Sequence, residues 1–422
     1  MPNFVHSRRL LVGATAMLLV LSGCASNDAT VSDSSTTAAA SSDYAAALKY
    51  LDAKQGAADS GKTPVTLGWV NEQGGTISSP EATAGAEAAV SLINAKLGGI
   101  DGHPLKLSTC FVASSEEEGQ KCAQQFHNDA SVTAVLTGAT GLSSPALHAV
   151  LSGQKPVVGS APSAPVDASA KWSYYIGNGV FGAPGTLANY AIKNLSAKKI
   201  ALIGPAFIGT TVAIQAVQAL AKAAGATLTT GTYPQGSSDV TPAVVASKAS
   251  SADAVIVLDN TSTGCIAVAK ALKQLNVADH VASLNTCAQD DVKKALGDLP
   301  QWNYLAPLRL PVATATDPSG EVKDYLASMA TYQASSTVQA SAGPSFALVL
   351  YVARLMNRLG ADAVTAATLN QALTESSGPV FMGAETLKFG GPPFPAIGSL
   401  QNLVYGYSGK GVWAPQNDGK YL

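Results

Sequence analysis

Charge is scarce in this chain. Asp, Glu, Lys and Arg make up 13% of its 422 residues, and 26 basic against 28 acidic residues leave a net charge of −2. Such a balance supplies no extended positive field, which excludes holding nucleic acid or an anionic membrane surface by counterion release. Histidine is limited to His6, His103, His127, His148 and His280, all scattered, and no two cysteines stand in a CxxC spacing. A metal centre therefore lacks its ligand pattern, and neither a metal nor a cofactor is expected. The glycine stretches at Gly74-Gly75 and Gly98 to Gly102 fit no phosphate-cradling fingerprint, so a nucleotide loop is not expected either. Aromatic residues reach only 6%, whereas alanine, glycine and small polar residues abound, a composition that suits an α/β fold with closely packed helices.

What is present begins at the N-terminus. Arg8 and Arg9 precede an apolar stretch from Leu10 to Leu21, little more than half the ~20 residues a spanning helix needs. Leu21-Ser22-Gly23-Cys24 then resembles the lipobox of bacterial lipoproteins, in which the thiol is acylated and the chain is cut before it. Residues 1–23 are expected to be a signal peptide and Cys24 the lipidated residue. From Ala25 to about Asp43 the chain is Ser, Thr, Ala and Asp, a tether, and Tyr44 to Lys54 carries apolar positions at helical spacing. Residues 24–61 thus read as anchor, tether and short helix. The other four cysteines allow three pairings, of which the local Cys110–Cys122 and Cys265–Cys287 are the simplest.

A chain of this length exceeds the roughly 250–300 residues at which a single core stops growing, so two lobes are expected. Short apolar runs alternate with helical patterns from Val65 onward. Strands are predicted at Val65 to Val70, Pro104 to Thr109, Thr133 to Thr137, Pro156 to Gly159, Ile200 to Ile203, Thr227 to Thr232, Ala254 to Leu258 and His280 to Leu284. Helices are predicted at Thr83 to Lys96, Glu116 to Asp129, Gly185 to Leu195, Thr211 to Ala224, Thr241 to Ser250, Cys265 to Gln274, Ala342 to Leu359 and Ala363 to Leu373. The alternation calls for parallel strands joined by crossover helices.

In open parallel sheets ligands sit beyond the carboxyl ends of the strands. Those segments here are small and polar: Asn71-Glu72-Gln73, Thr140-Gly141-Leu142-Ser143, Ser160-Ala161-Pro162-Ser163, Phe207-Ile208-Gly209 and Asp259-Asn260. They offer hydroxyls and backbone N–H groups but almost no general base. Ser143 and Ser144 are not in a GxSxG setting and serve equally well as helix caps. Glu116 to Glu118 open a helix, where carboxylates complement the dipole. Trp172, Tyr174 and Tyr175 read as packing, and Phe207 is placed to face a cleft.

The run Thr83 to Lys96, with its Ile93-Asn94-Ala95 ending, followed by Gly98-Gly99-Ile100-Asp101-Gly102, resembles the leucine/isoleucine/valine-binding family of type I periplasmic binding proteins. Thr137-Gly138, Pro156 to Ser160, Asp253 and Gly378-Pro379 follow in the family's order. The resemblance implies two doubly wound parallel-sheet lobes joined by a three-crossover hinge: 62–180 plus 311–387, and 181–310 plus 388–422. It implies ligand contacts at Asn71, Glu72, Gln73, Gly141, Leu142, Ser143, Ser160, Ala161 and Ser163; position after a strand adds Thr140 and, across the cleft, Phe207, Ile208, Asp259, Asn260 and Thr263 as candidates. Thr263 stands where amino-acid binders of the family carry an acidic residue for the ligand ammonium, so Asp259 or Glu72 would have to replace it. Otherwise the solute is neutral or acidic with a substantial apolar part. The implied activity is capture of a small-molecule solute outside the cell for an ABC transporter permease, by a monomer that meets the membrane through its lipid only. A sensor of the same fold and a secreted serine hydrolase using Ser143 or Ser144 are the alternatives.

Overall fold

The computed structural model describes residues 43–422 apart from 76–77, 114, 278, 313–316 and 338, with the backbone alone for Ile208. The expectations for the signal segment, for Cys24 and for the tether up to residue 42 lie outside the described residues.

Two open sheets form the frame. The first contains β1 (Val65–Glu72), β2 (Leu105–Val112), β3 (Val132–Thr137), β4 (Val157–Gly159) and β5 (Ser173–Tyr175) in the order β2-β1-β3-β4-β5, all parallel. Val65 lies opposite Leu105 and Trp69 opposite Thr109, so the carboxyl ends of β1 and β2 finish together. Alternate side chains bury on opposite faces. Leu67, Trp69 and Leu136 pack one way, and Val70, Val132 and Val135 the other. This double burial explains why the strands read as nearly continuous apolar runs. Helices α1 (Ala45–Leu51), α2 (Pro80–Lys96), α10 (Glu321–Tyr332), α11 (Ala342–Leu359) and α12 (Ala366–Glu375) build the core on the first face. On the other lie α3 (Glu116–Asn128) and α4 (Ser144–Leu151), through Phe126 and Leu147.

The second sheet runs β14-β13-β10-β9-β8-β6-β7, from β6 (Lys199–Pro205), β7 (Thr227–Tyr233), β8 (Ala254–Val257), β9 (Val281–Leu284), β10 (Asn303–Ala306), β13 (Leu403–Tyr407) and β14 (Trp413–Pro415). β13 and β14 are antiparallel additions at one edge. Helices α7 (Thr241–Ala246), α8 (Ser262–Gln274) and α9 (Asp290–Leu296) share a core with Ile203, Val257 and Tyr304. Helices α5 (Gly179–Asn189) and α6 (Ile208–Ala223) cover the opposite face over Leu202 and Ile256. A two-strand ribbon, β11 (Ser377–Gly378) with β12 (Leu387–Lys388), is separate.

The chain crosses between lobes after β5, after β10 and before β13. Residues 388–397, assigned above to the second lobe, pack instead on the first: Phe389 lies in its core edge-on to Tyr174 at 5.0 Å, and Ile397 bridges to Tyr175. The last crossing thus falls at 398–402. Burial of a lone phenylalanine against the far edge of a sheet has no signature in local sequence. The strands β5, β10, β13 and β14 and the helices α4, α9 and α10 were likewise not foreseen, because three- to five-residue strands and Ser/Pro- or charge-rich helix starts carry little periodic signal.

Both local cysteine pairs are bonded. Cys110 of β2 joins Cys122 of α3, and Cys265 of α8 joins Cys287 just ahead of α9, with Cα atoms 5.6 and 5.2 Å apart. Each ties a strand end or its loop to a covering helix.

Candidate functional site

The strand-end loops divide into those that hold the fold and those that line space. After β1, Asn71 is wholly buried. Its Nδ2 donates to Ser79 O at 2.7 Å and Thr83 Oγ1 at 3.1 Å, and its Oδ1 accepts from Ala139 N at 3.0 Å. Asn71 therefore stitches two loops and the start of α2 together. Gln73 joins the same network by accepting from Thr83 Oγ1 at 3.0 Å. Glu72 is 3% exposed and packs under Gly141, where an added Cβ would lie 2.1 Å from its Oε1. Gly141 also has a φ of +42°, so glycine is required there twice over.

After β3, Thr140 and Ser143 are buried, and Ser143 Oγ donates to Thr140 O. Leu142 projects with 69% exposure. Ser144 Oγ donates to Asp167 Oδ1, the same oxygen that meets His148 Nε2 at 2.9 Å. Asp167 Oδ2 accepts from Ser163 N at 2.6 Å and Ala164 N at 2.8 Å. These are the residue types of a hydrolase triad in the wrong order. The carboxylate stands between hydroxyl and imidazole, so the imidazole has no route to the serine proton. Burial acts to raise the Asp167 pKa, but the bonds from His148, Ser144 and Ala164 N outweigh it and hold the group below its usual range. The cluster braces the 160–167 loop.

Across the cleft, Asp259 is 2% exposed. One oxygen accepts from Tyr233 OH; the other accepts from Thr261 N at 2.8 Å and Thr261 Oγ1 at 2.7 Å. An added Cβ on Gly264 would sit 1.9 Å from Asp259 Oδ2, so α8 begins directly on this carboxylate. Asp259, one of the two acids expected as a possible replacement at the ligand, is held here as a loop anchor by Tyr233 and Thr261. Thr263 is exposed on α8.

Between the lobes lies a cavity of about 300 Å³. Of the residues expected at a ligand, the structure brings Ser160, Ala161, Phe207 and Asn260 together on its wall. Asn71, Glu72, Gln73, Thr140, Gly141, Leu142, Ser143, Ser163, Asp259 and Thr263 are not on that wall, and Ile208 is placed as the first residue of α6. The remaining wall comes largely from segments that sequence reasoning passed over. Asn178 to Val180 follow β5, Asn285 and Thr286 follow β9, Pro307 follows β10, Ser341 and Pro344 open α11, and Asn402 ends the last crossing. The Asn285-Thr286 pair was legible as a polar strand-end loop; the crossing residues meet only in three dimensions.

Two stretches carry the letters of nucleotide fingerprints after all. Gly56-Ala57-Ala58-Asp59-Ser60-Gly61-Lys62-Thr63 fits GxxxxGK[ST], but it precedes β1 instead of linking a strand to a helix. Its own Asp59 already accepts Gly61 N at 2.9 Å. Gly177-Asn178-Gly179-Val180-Phe181-Gly182 fits GxGxxG between β5 and α5, yet those elements belong to different lobes and form no βαβ unit. Added Cβ atoms there would meet Ser160 O at 2.6 Å, Pro162 O at 2.8 Å and Asn178 Cγ at 2.4 Å, so Gly177 and Gly179 serve close backbone crossing and Gly182 leaves room for the Asn178 side chain.

No curated protein matches the chain. Among solved structures, an ABC transporter substrate-binding protein from Sphaerobacter thermophilus is similar at 15% identity and TM-score 0.69, over 84% of this chain and 96% of that one. A fatty acid ABC transporter substrate-binding protein from Thermomonospora curvata is similar at 13% and 0.67, over 88% and 95%. A branched-chain amino acid transporter substrate-binding protein from Streptococcus pneumoniae, in complex with isoleucine, is similar at 16% and 0.66, over 85% and 98%. At such identities the likeness establishes the fold: two doubly wound lobes of the type I periplasmic binding protein kind. The family model described as periplasmic binding protein matches residues 64–392, and with that match covering the first sheet, the parallel strands of the second and every residue of the cavity wall but Asn402, the chain belongs to the periplasmic binding protein family.

Proposed function

We propose that this chain is the extracytoplasmic solute receptor of an ABC importer, held at the outer face of the cell membrane by a lipid on Cys24. The observation that carries the reading is the cavity of about 300 Å³ at the meeting of strand ends, helix starts and all three crossing segments. A solute seated there touches both lobes and the hinge at once, so its binding energy favours the closed arrangement over the open one. The closed, loaded form is what a permease distinguishes from the empty receptor. A monomer suffices, because one chain supplies both walls.

Small-angle scattering of the purified protein tests the binding step. Addition of a cognate solute is expected to shrink the radius of gyration and raise the melting temperature in proportion to the logarithm of concentration over affinity. A chain that turns a compound over, or that meets a broad metabolite library without any shift, contradicts the proposal. For the anchor, Cys24→Ala is expected to move the protein from the membrane fraction to the medium or periplasm; unchanged membrane association removes Cys24 from that role.

A further inference from the structure

The wall of the interlobe cavity carries no Asp, Glu, Lys, Arg or His among the described residues. From this we infer that the solute is uncharged and largely apolar, with amide or hydroxyl groups as its polar part. The inference rests on the interlobe cavity being the solute site proposed above.

Three acidic groups near the cavity have other tasks. Asp259 is bonded to Tyr233 and Thr261, and Glu72 packs beneath Gly141 in the first lobe. Glu81, at the start of α2, is half-buried, its pKa raised by burial, and its oxygens already accept from its own N–H and from Ser341 N. The short undescribed segments, Thr76-Ile77, Ser114, Ala278, Ala313 to Thr316 and Val338, contain no ionisable residue at all. A ligand ammonium or carboxylate enclosed here would lose its hydration without gaining a counter-charge, which low dielectric surroundings penalise heavily.

What the wall does offer is complementary to a neutral amphiphile. Phe207, Leu258, Leu284 and Leu305 present apolar surface, while Asn260 and Gln289, whose Oε1 accepts from Ser262 Oγ at 2.9 Å, present amide groups; the Asn178 amide is engaged with Gln401 O and Asn402 Nδ2. Pro184 stands inside α5 and lacks the N–H that would take the Val180 carbonyl in a regular helix, and both residues border the cavity. A recess of about 40 Å³ shares Asn285, Pro307, Ala340 and Pro344 with the cavity and continues past Leu308 to Val312. Its one cation, Arg309, faces Asp317 at 3.8 Å.

The test incubates the purified protein with a small-molecule extract of bacterial cells, removes unbound material, denatures the protein and identifies what is released by mass spectrometry, with passage over a strong cation exchanger at about pH 2, which retains any amine, and a strong anion exchanger at about pH 11, which retains any carboxylate. Calorimetric titration with leucine accompanies it. Release of a compound that passes both exchangers, with no saturable leucine signal, is expected. Release of a zwitterion or cation, or saturable leucine binding, overturns the ligand class and leaves the receptor function standing. A released carboxylate also overturns it and points to Arg309 as the counter-charge. An extract from which nothing is retained overturns the receptor reading together with the inference.

Discussion

Tyr233 at the end of β7 donates its hydroxyl hydrogen to Asp259, two residues past the end of β8. The bond joins strand ends on either side of β6, which separates them in the sheet, and engages the one acidic side chain of that loop. Burial and the neighbouring carboxylate together hold the tyrosine far above its ordinary pKa, so it remains a donor at any physiological pH. Both carboxylate oxygens of Asp259 are thus engaged within its own lobe.

Replacing Asp259 by Ala is therefore expected to cost stability. The change leaves the Tyr233 hydroxyl and Thr261 N–H without their acceptor, at about 1–3 kcal/mol. Urea midpoints of the two proteins measure this. A variant of unchanged stability that loses solute affinity selectively returns Asp259 to the ligand.

Gly85 of α2 faces the α11 backbone so closely that an added Cβ would sit 2.0 Å from Ala342 O. Gly85→Ala should raise local helix propensity yet destabilise the lobe by about 1–3 kcal/mol through overpacking. Because the obstruction is a backbone carbonyl, Ala342→Gly is not expected to rescue it. Thermal melts of the single and double variants decide the point.

Each disulfide closes a short loop, with 12 residues of separation for Cys110–Cys122 and 22 for Cys265–Cys287. Converting either pair to serine is expected to cost about 2–4 kcal/mol. The Cys265–Cys287 loss should be felt at the cavity as well, since Asn285 and Thr286 adjoin Cys287 on its wall. Unfolding curves and solute affinity, measured on both double variants, separate the two effects.

Asp167 makes stability acid-sensitive. Its folded-state pKa lies below the ordinary 3.8, so the unfolded chain takes up the proton first. The stability this group contributes is complete above its unfolded pKa and is lost as pH falls through the folded value. Asp167→Asn should lower stability at neutral pH and flatten its decline below about pH 4 relative to the parent. Parallel curves from pH 7 to pH 2 would contradict the assignment.

Phe207 caps α6 at the cavity wall, and the Gly209 position is held small by its ring. Phe207→Ala is expected to leave the melting temperature of the empty protein nearly unchanged and to weaken solute binding by about 10–100-fold, the loss of one buried aromatic surface. Titration with the solute released from the parent protein provides the measurement.

Much of the architecture was legible without coordinates. Apolar runs buried on both faces announced parallel strands, the alanine-rich run ending Ile93-Asn94-Ala95 announced α2, and the spacing of four cysteines pointed to local pairs. The candidate site was legible only in part. Ser160, Ala161, Phe207 and Asn260 were reachable from the rule that ligands lie past strand ends. Asn178, Pro307, Ser341 and Asn402 were not, because each lies on a crossing segment or helix start with no motif of its own.

Sequence alone thus determined the α/β class, the register of polar loops at strand ends and the near-absence of charge from them. Those properties follow from periodicity and composition, which are local. Tertiary structure decided which polar groups remain available to a solute. Asn71 finds Ala139 from 68 positions away, Asp259 finds Tyr233 from 26, and Ser144 finds Asp167 from 23. A buried polar group takes whatever partner the fold brings within reach, and only the groups left over can recognise a ligand.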